Sequence, residues 1–157
     1  MKRFTIYHLP FTILVLGLYL LTSCRNDIVY SQFHPIPSEK WQVDSVATFD
    51  YTVTDKTVDY RMLIYVRHTE RYPYQNMWLF VGDTTHRDTI EFYLADDRGQ
   101  WLGDKHHGFI EMPVLYEEHF HFPDTGTYQL AIQHGMRDSV LRGVTDIGLE
   151  IIRNGQE

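Results

Sequence analysis

The sequence predicts an all-β fold: a single antiparallel β-sandwich, immunoglobulin-like or jelly-roll-like, behind an N-terminal signal segment. Three observations predict it. Apolar residues recur at every second position along much of the chain, no window holds them at helical spacing for three turns, and Gly, Asp and Asn punctuate the runs. The 11 tyrosines and 9 phenylalanines suit pleated, half-buried surfaces.

The chain opens on Met1, Lys2 and Arg3, followed by an apolar run whose uninterrupted part, Ile13 to Leu21, is short. A membrane-crossing helix needs about 20 apolar residues, whereas the apolar region of a secretory signal runs about 7 to 15. This stretch is therefore an export signal. Leu21-Thr22-Ser23-Cys24 resembles the bacterial lipobox, and Cys24 is the only cysteine. In signals of that kind the thiol takes a thioether-linked diacylglycerol, as palmitate-type acyl chains, and cleavage makes the cysteine the first mature residue. The expected organisation is a removed lipoprotein signal peptide at residues 1–23, a lipidated tether at 24–42 and the sandwich at 43–157. Several acyl chains hold firmly without a transmembrane helix.

The 157 residues, less 23, leave 134, the size of one domain. The first 23 carry two of the 14 basic residues and none of the 21 acidic ones, so the formal charge of −7 becomes −9 without them. That sign disfavours nucleic acid as a partner.

Pro35 and Pro37 in the tether disfavour helix. Phe49, Tyr51 and Val53 then alternate with Thr48, Asp50 and Thr52, which reads as a strand with one wet face. The pattern recurs at Val58 to Val66, in "NMWLFV", at Ile90 to Leu94, from Phe109 to Tyr116, at Tyr128 to His134 and from Val144 to Ile152. Turn chemistry separates these runs at "GDTTHRD", "DDRG", "GDKHHG" and "PDTG". In "FPDTGTYQL" the order Asp124, Gly126, Tyr128 matches a tyrosine corner, in which the phenol bonds back to upstream backbone, although an ordinary turn before a strand with a core tyrosine fits equally.

No Gly-x-Ser-x-Gly, phosphate-cradling glycine loop or His-Glu-x-x-His occurs. Adjacent carboxylates such as Asp96 with Asp97 point to opposite faces of an extended chain, which disfavours joint acid and base work. A non-enzymatic protein without a cofactor is expected. Nine histidines are the one suspicious feature. His119 and His121 lie two apart and share a strand face, so they are weak metal-ligand candidates, with Asp104, His106, His107 or Glu117 as further donors. Exposed histidines on an edge strand explain the pair without a metal. The loop aromatics Tyr72, Tyr74 and Trp101 form the candidate partner surface: Pro73 stiffens one loop and glycines flank the other. The competing reading is that they close the end of the sandwich, and for Trp78, inside a strand, that reading is preferred.

Taken in order behind the lipobox, "VYSQFHPIPSEKWQVDSVATFDY", "YPYQNMWLFV", "GQWLG", "FPDTGTYQLAIQHGMRD" and "GVTDIGLEI" resemble the GldH gliding-motility lipoproteins of the Bacteroidetes. The resemblance covers Val29 to Ile152 and brings no catalytic residues with it. It implies a cell-envelope lipoprotein of the gliding machinery, or of the linked surface secretion and assembly machinery, that binds envelope proteins and is held to the membrane by its N-terminal lipid. Arg25 follows Cys24, where enterobacterial inner-membrane retention uses aspartate, so the outer membrane is favoured, facing periplasm or surface. The rival readings are a carbohydrate- or peptidoglycan-binding module using Tyr74, Trp78 or Trp101, and a metal-dependent hydrolase built on the histidines.

Overall fold

The alternation at Phe49, Tyr51 and Val53 becomes strand β3 (Ala47–Val53), whose buried and exposed positions follow the expected parity. A computed structural model describes residues 27–154. Before β3 come β1 (Ile28–Pro35), a single 3₁₀ turn (Pro37–Glu39) and β2 (Lys40–Gln42). After it follow β4 (Tyr60–His68), β5 (Asn76–Gly82), β6 (Arg87–Tyr93), β7 (Asp104–Lys105) and β8 (Ile110–Phe120). The last strands are β9 (Gly126–His134), β10 (Val140–Arg142) and β11 (Val144–Arg153).

Two sheets pack face to face, one in the order β1-β11-β4-β8-β7 and the other β3-β9-β5-β6, while β10 and β2 form a separate ribbon. Their strand pairs are antiparallel. The pairs β1 with β11, β3 with β9, β4 with β8 and β5 with β6 nest inside one another and alternate between the sheets. A long hairpin rolled around a barrel gives that order, so of the two expected forms the sandwich takes the jelly-roll.

Between the sheets lie Phe49, Tyr60, Ile64, Met77, Leu79, Ile132, Leu149 and Ile151, all essentially without solvent exposure. Each such side chain contributes about 1.5–3 kcal/mol by leaving water, which is why apolar residues hold the inward positions of these strands.

The sandwich begins at Ile28 rather than at residue 43, because the stretch expected as a tether is β1, paired with β11 from Ile28 opposite Ile152 to Pro35 opposite Asp146. As an outermost strand β1 buries none of its residues fully, so it lacks a clear alternation. Pro35 sits at its end, where a missing N–H costs no ladder bond.

This pairing gives the molecule two distinct poles. The Arg153 amide donates to the Asp27 carbonyl at 2.8 Å, so the chain enters beside the end of β11. At the opposite pole Val144, the first residue of β11, faces His68, the last of β4. The ten residues of β11 between them span ~30 Å.

Candidate functional site

The far pole is closed by two of the three loop aromatics. Tyr72 is 3% exposed; its hydroxyl donates to the Asn76 carbonyl at 2.7 Å, and its burial raises its pKa. Trp101 is half-buried and meets the His68 ring edge-on with centroids 4.7 Å apart. His68 has no exposed area, its Nε2 has no partner among the described residues, and burial lowers its pKa, so it sits there as neutral imidazole. Gly143 holds the closing loop down: at φ +82° it donates to the Glu39 carbonyl and accepts the Thr69 amide, and a Cβ there would collide with the Tyr72 backbone.

Tyr74 is different. It is 38% exposed, and its hydroxyl donates to Asp138 Oδ2 at 2.7 Å across the loop gap. Its neighbours along β5 and β6 continue an apolar surface. Asn76 pairs with Tyr93 and Trp78 with Glu91, which sets Trp78 and Tyr93 on diagonal positions of one sheet face. Leu94 donates to the Gln75 carbonyl and Leu102 to the Leu94 carbonyl, drawing Leu102 to the same corner. Trp78, Tyr93 and Leu102 are 37%, 60% and 38% exposed. Asn76, Glu91 and Asp138 supply polar groups around them.

Trp78 therefore points outward, contrary to the preferred sequence reading. Met77, Leu79 and Val81 take the core positions of β5. The run is apolar at nearly every position, so composition leaves its parity undecided. Tyr72 adds almost no exposed area to a partner surface, Trp101 adds a part and Tyr74 adds the most of the three.

His119 and His121 lie at the other pole, beside the chain entry. His119 Nδ1 is 2.5 Å from Asp59 Oδ2, and His121 Nδ1 is 3.8 Å from Asp59 Oδ1. The hydrogen bond to Asp59 raises the His119 pKa, and the same bond, with one from Asn154, lowers that of Asp59. Asp104 lies in β7, on the edge of the five-stranded sheet, paired with Glu111 near the far pole, and His106 stacks on Phe109. Glu117 lines a separate cleft. Among the described residues no three His, Cys, Asp or Glu side chains form a group able to hold a metal ion. His119 and Asn154 hold Asp59 Oδ2, and His121 stands beside its other oxygen without a hydrogen bond.

Cys24 lies outside the described residues. Among those described, no helix is long and apolar enough to cross a membrane.

The model of the GldH lipoprotein family matches residues 28–151. The chain is 32% identical over 151 residues to the gliding motility lipoprotein GldH of Flavobacterium johnsoniae, across 88% of this chain and 93% of that protein. It is 30% identical over 162 residues to a gliding motility lipoprotein GldH homolog of Christiangramia forsetii, across 96% of each. Matched along nearly all of its jelly-roll, the chain belongs to the GldH lipoprotein family.

Proposed function

We propose that this protein is a lipid-anchored component of the cell envelope that supports gliding motility, or an associated surface secretion and assembly machinery, by binding protein partners without catalysing a reaction. The relatives' names support the setting. The observation that carries the binding role is the far corner, where Tyr74, Trp78, Tyr93 and Leu102 expose large apolar side chains on a rigid frame. Apolar exposure rimmed by polar groups is the usual anatomy of an interface, and tyrosine and tryptophan are its best anchors.

Anchor and corner are set apart by the fold. Lipidation at Cys24 ties down the pole where the chain enters at Asp27, and β11 carries the corner ~30 Å away, toward partners. Arg25 favours the outer membrane. Affinity capture from envelope fractions with the intact lipoprotein, read by mass spectrometry, tests the role. Recovery of envelope proteins by the wild type, reduced by Tyr74→Ala, supports it, and recovery of none contradicts it.

A second reading has one observation behind it. Trp78 and Tyr93 share a sheet face as sugar-stacking rings do, although Trp101 is spent on His68. Co-sedimentation with purified peptidoglycan, abolished by Trp78→Ala, favours this reading over the first.

A further inference from the structure

Among the described residues one flank of the jelly-roll lacks a cover. Strand β6 ends its sheet, and on the other sheet β7 pairs with β8 only at Ile110 and Glu111, so from Met112 to Phe120 β8 is paired with β4 alone. Where the β5–β6 turn and the first residues of β6 face the end of β8 and the start of β9 opens a cleft of about 370 Å³. Tyr51, Tyr116, Phe122 and Tyr128 form its aromatic walls. Asp83, Asp88 and Glu117 stand around it, and among the described residues neither Lys nor Arg lines it.

Two of the carboxylates are held in place by the protein. Asp83 Oδ1 accepts the Thr85 and His86 amides and the Thr85 hydroxyl, and Asp88 Oδ2 accepts the Tyr116 hydroxyl at 2.7 Å while Oδ1 faces His86 Nε2 at 2.9 Å. Glu117 makes no ion pair among the described residues.

The second observation is Tyr51. The hydroxyls of Tyr60, Tyr72, Tyr116 and Tyr128 each bond to a protein oxygen. Tyr51 is only 7% exposed and lines the cleft, yet its hydroxyl has no hydrogen-bond partner among the described residues. Burial first, then Tyr128 and Asp83, push its pKa up to about 12, so it is a neutral phenol with an oxygen to offer. The Tyr51 oxygen opens on the cleft with its lone pairs unused by the described residues, so it can accept a hydrogen bond from a ligand donor.

From the cleft and its charge we infer that it receives a lysine or arginine side chain from an extended segment of a partner protein, a site that rests on the protein-binding reading and names its chemistry. The cation meets Asp83 and Glu117, donates to the Tyr51 oxygen and lays its aliphatic stem along the aromatic walls. The segment's backbone has a place beside it. Strand β6 keeps unbroken register with β5 over seven residues and has no proline, whereas Pro113 lacks an N–H to donate and β8 slips register against β4 near Glu117, so β6 is the edge that accepts an added strand.

The test uses the intact lipoprotein in nanodiscs and a peptide labelled on its N-terminal amine, fluorescein-Gly-Thr-Val-Lys-Val-Thr-Gly-amide, followed by anisotropy. A control peptide replaces its lysine with norleucine. The expected result is binding of the lysine peptide alone, weakened by added salt, about tenfold by Glu117→Gln and several-fold by Tyr51→Phe, with melting temperatures unchanged. Equal binding of the norleucine peptide, or indifference to both substitutions, overturns the inference. So does binding of fluorescein-labelled peptidoglycan fragments when the lysine peptide itself does not bind. Envelope capture separates this claim from the broader one: capture by the wild type without peptide binding sinks the cleft alone, and peptide binding without capture sinks the envelope role alone.

Discussion

The Tyr128 hydroxyl donates to the Asp124 carbonyl at 2.7 Å and accepts the Asp124 amide at 3.3 Å, tying the start of β9 to the turn before it. The ring behind this bond packs against Phe122 and Tyr51, so the link joins a surface turn to the core. Tyr128→Phe keeps the ring and removes the bond. It is expected to cost about 1 kcal/mol, read as a lower midpoint in urea at unchanged slope.

Two neighbours on β9 measure the parity of the sheet. Leu130 is 7% exposed, and Leu130→Asp buries a charge in the core, which should leave the domain largely unfolded by circular dichroism at room temperature. Gln129 is exposed and donates to Asp50 across the strand pair at 2.8 Å. Gln129→Asp places like charges opposite each other and should cost only about 0.2–1 kcal/mol.

Acid stability should carry two opposed histidine signatures. Burial lowers the pKa of His68 and His134, so the unfolded chain binds the extra protons, and their contribution to stability, present above about pH 6.5, is lost as pH falls below it. His119 has its pKa raised by Asp59, so its contribution is present below about pH 6.5 and disappears as pH rises through the raised value. His134 packs edge-on against Trp41, and among the described residues neither of its ring nitrogens makes a hydrogen bond. His134→Phe should therefore flatten the loss of stability between pH 6.5 and 5, and His119→Ala should abolish a loss that sets in as pH rises above 6.5; equilibrium unfolding on both sides of pH 6.5 checks them.

Trp101 and Tyr74, neighbours at the far pole, should behave unlike each other. Trp101→Ala removes cover from His68 and Tyr72 and is expected to lower stability by about 2–4 kcal/mol, with partner capture falling only as the folded fraction does. Melting curves on purified variants, set beside capture yields, check this.

Lipidation has its own test. Radiolabelled palmitate should enter the wild-type protein and be absent from Cys24→Ser, whereas equal labelling of both would remove the anchor.

The sandwich was legible wherever one face of a strand is wet. Phe49, Tyr51 and Val53 alternate with threonines and an aspartate, and a single register satisfies them. Strand β1 was not legible, because its pairing lies with β11, more than a hundred residues away, and an edge strand need not alternate. The far corner was partly legible: Tyr74 was marked by its loop, but Trp78 lies in a run apolar on both faces, and Tyr93 and Leu102 join it only through the β5 and β6 register. The histidine pair was legible and its partner Asp59 was not, since only the β4 and β8 pairing brings them together.

The central claim is that the exposed corner at the far pole is the partner surface. Quantitative capture from envelope fractions by the intact lipoprotein and its Tyr74→Ala/Tyr93→Ala variant, with melting temperature measured on the same preparations, tests it most directly. The account predicts capture reduced by at least about tenfold at a nearly unchanged melting temperature. Undiminished capture by a variant that melts like the wild type would contradict it.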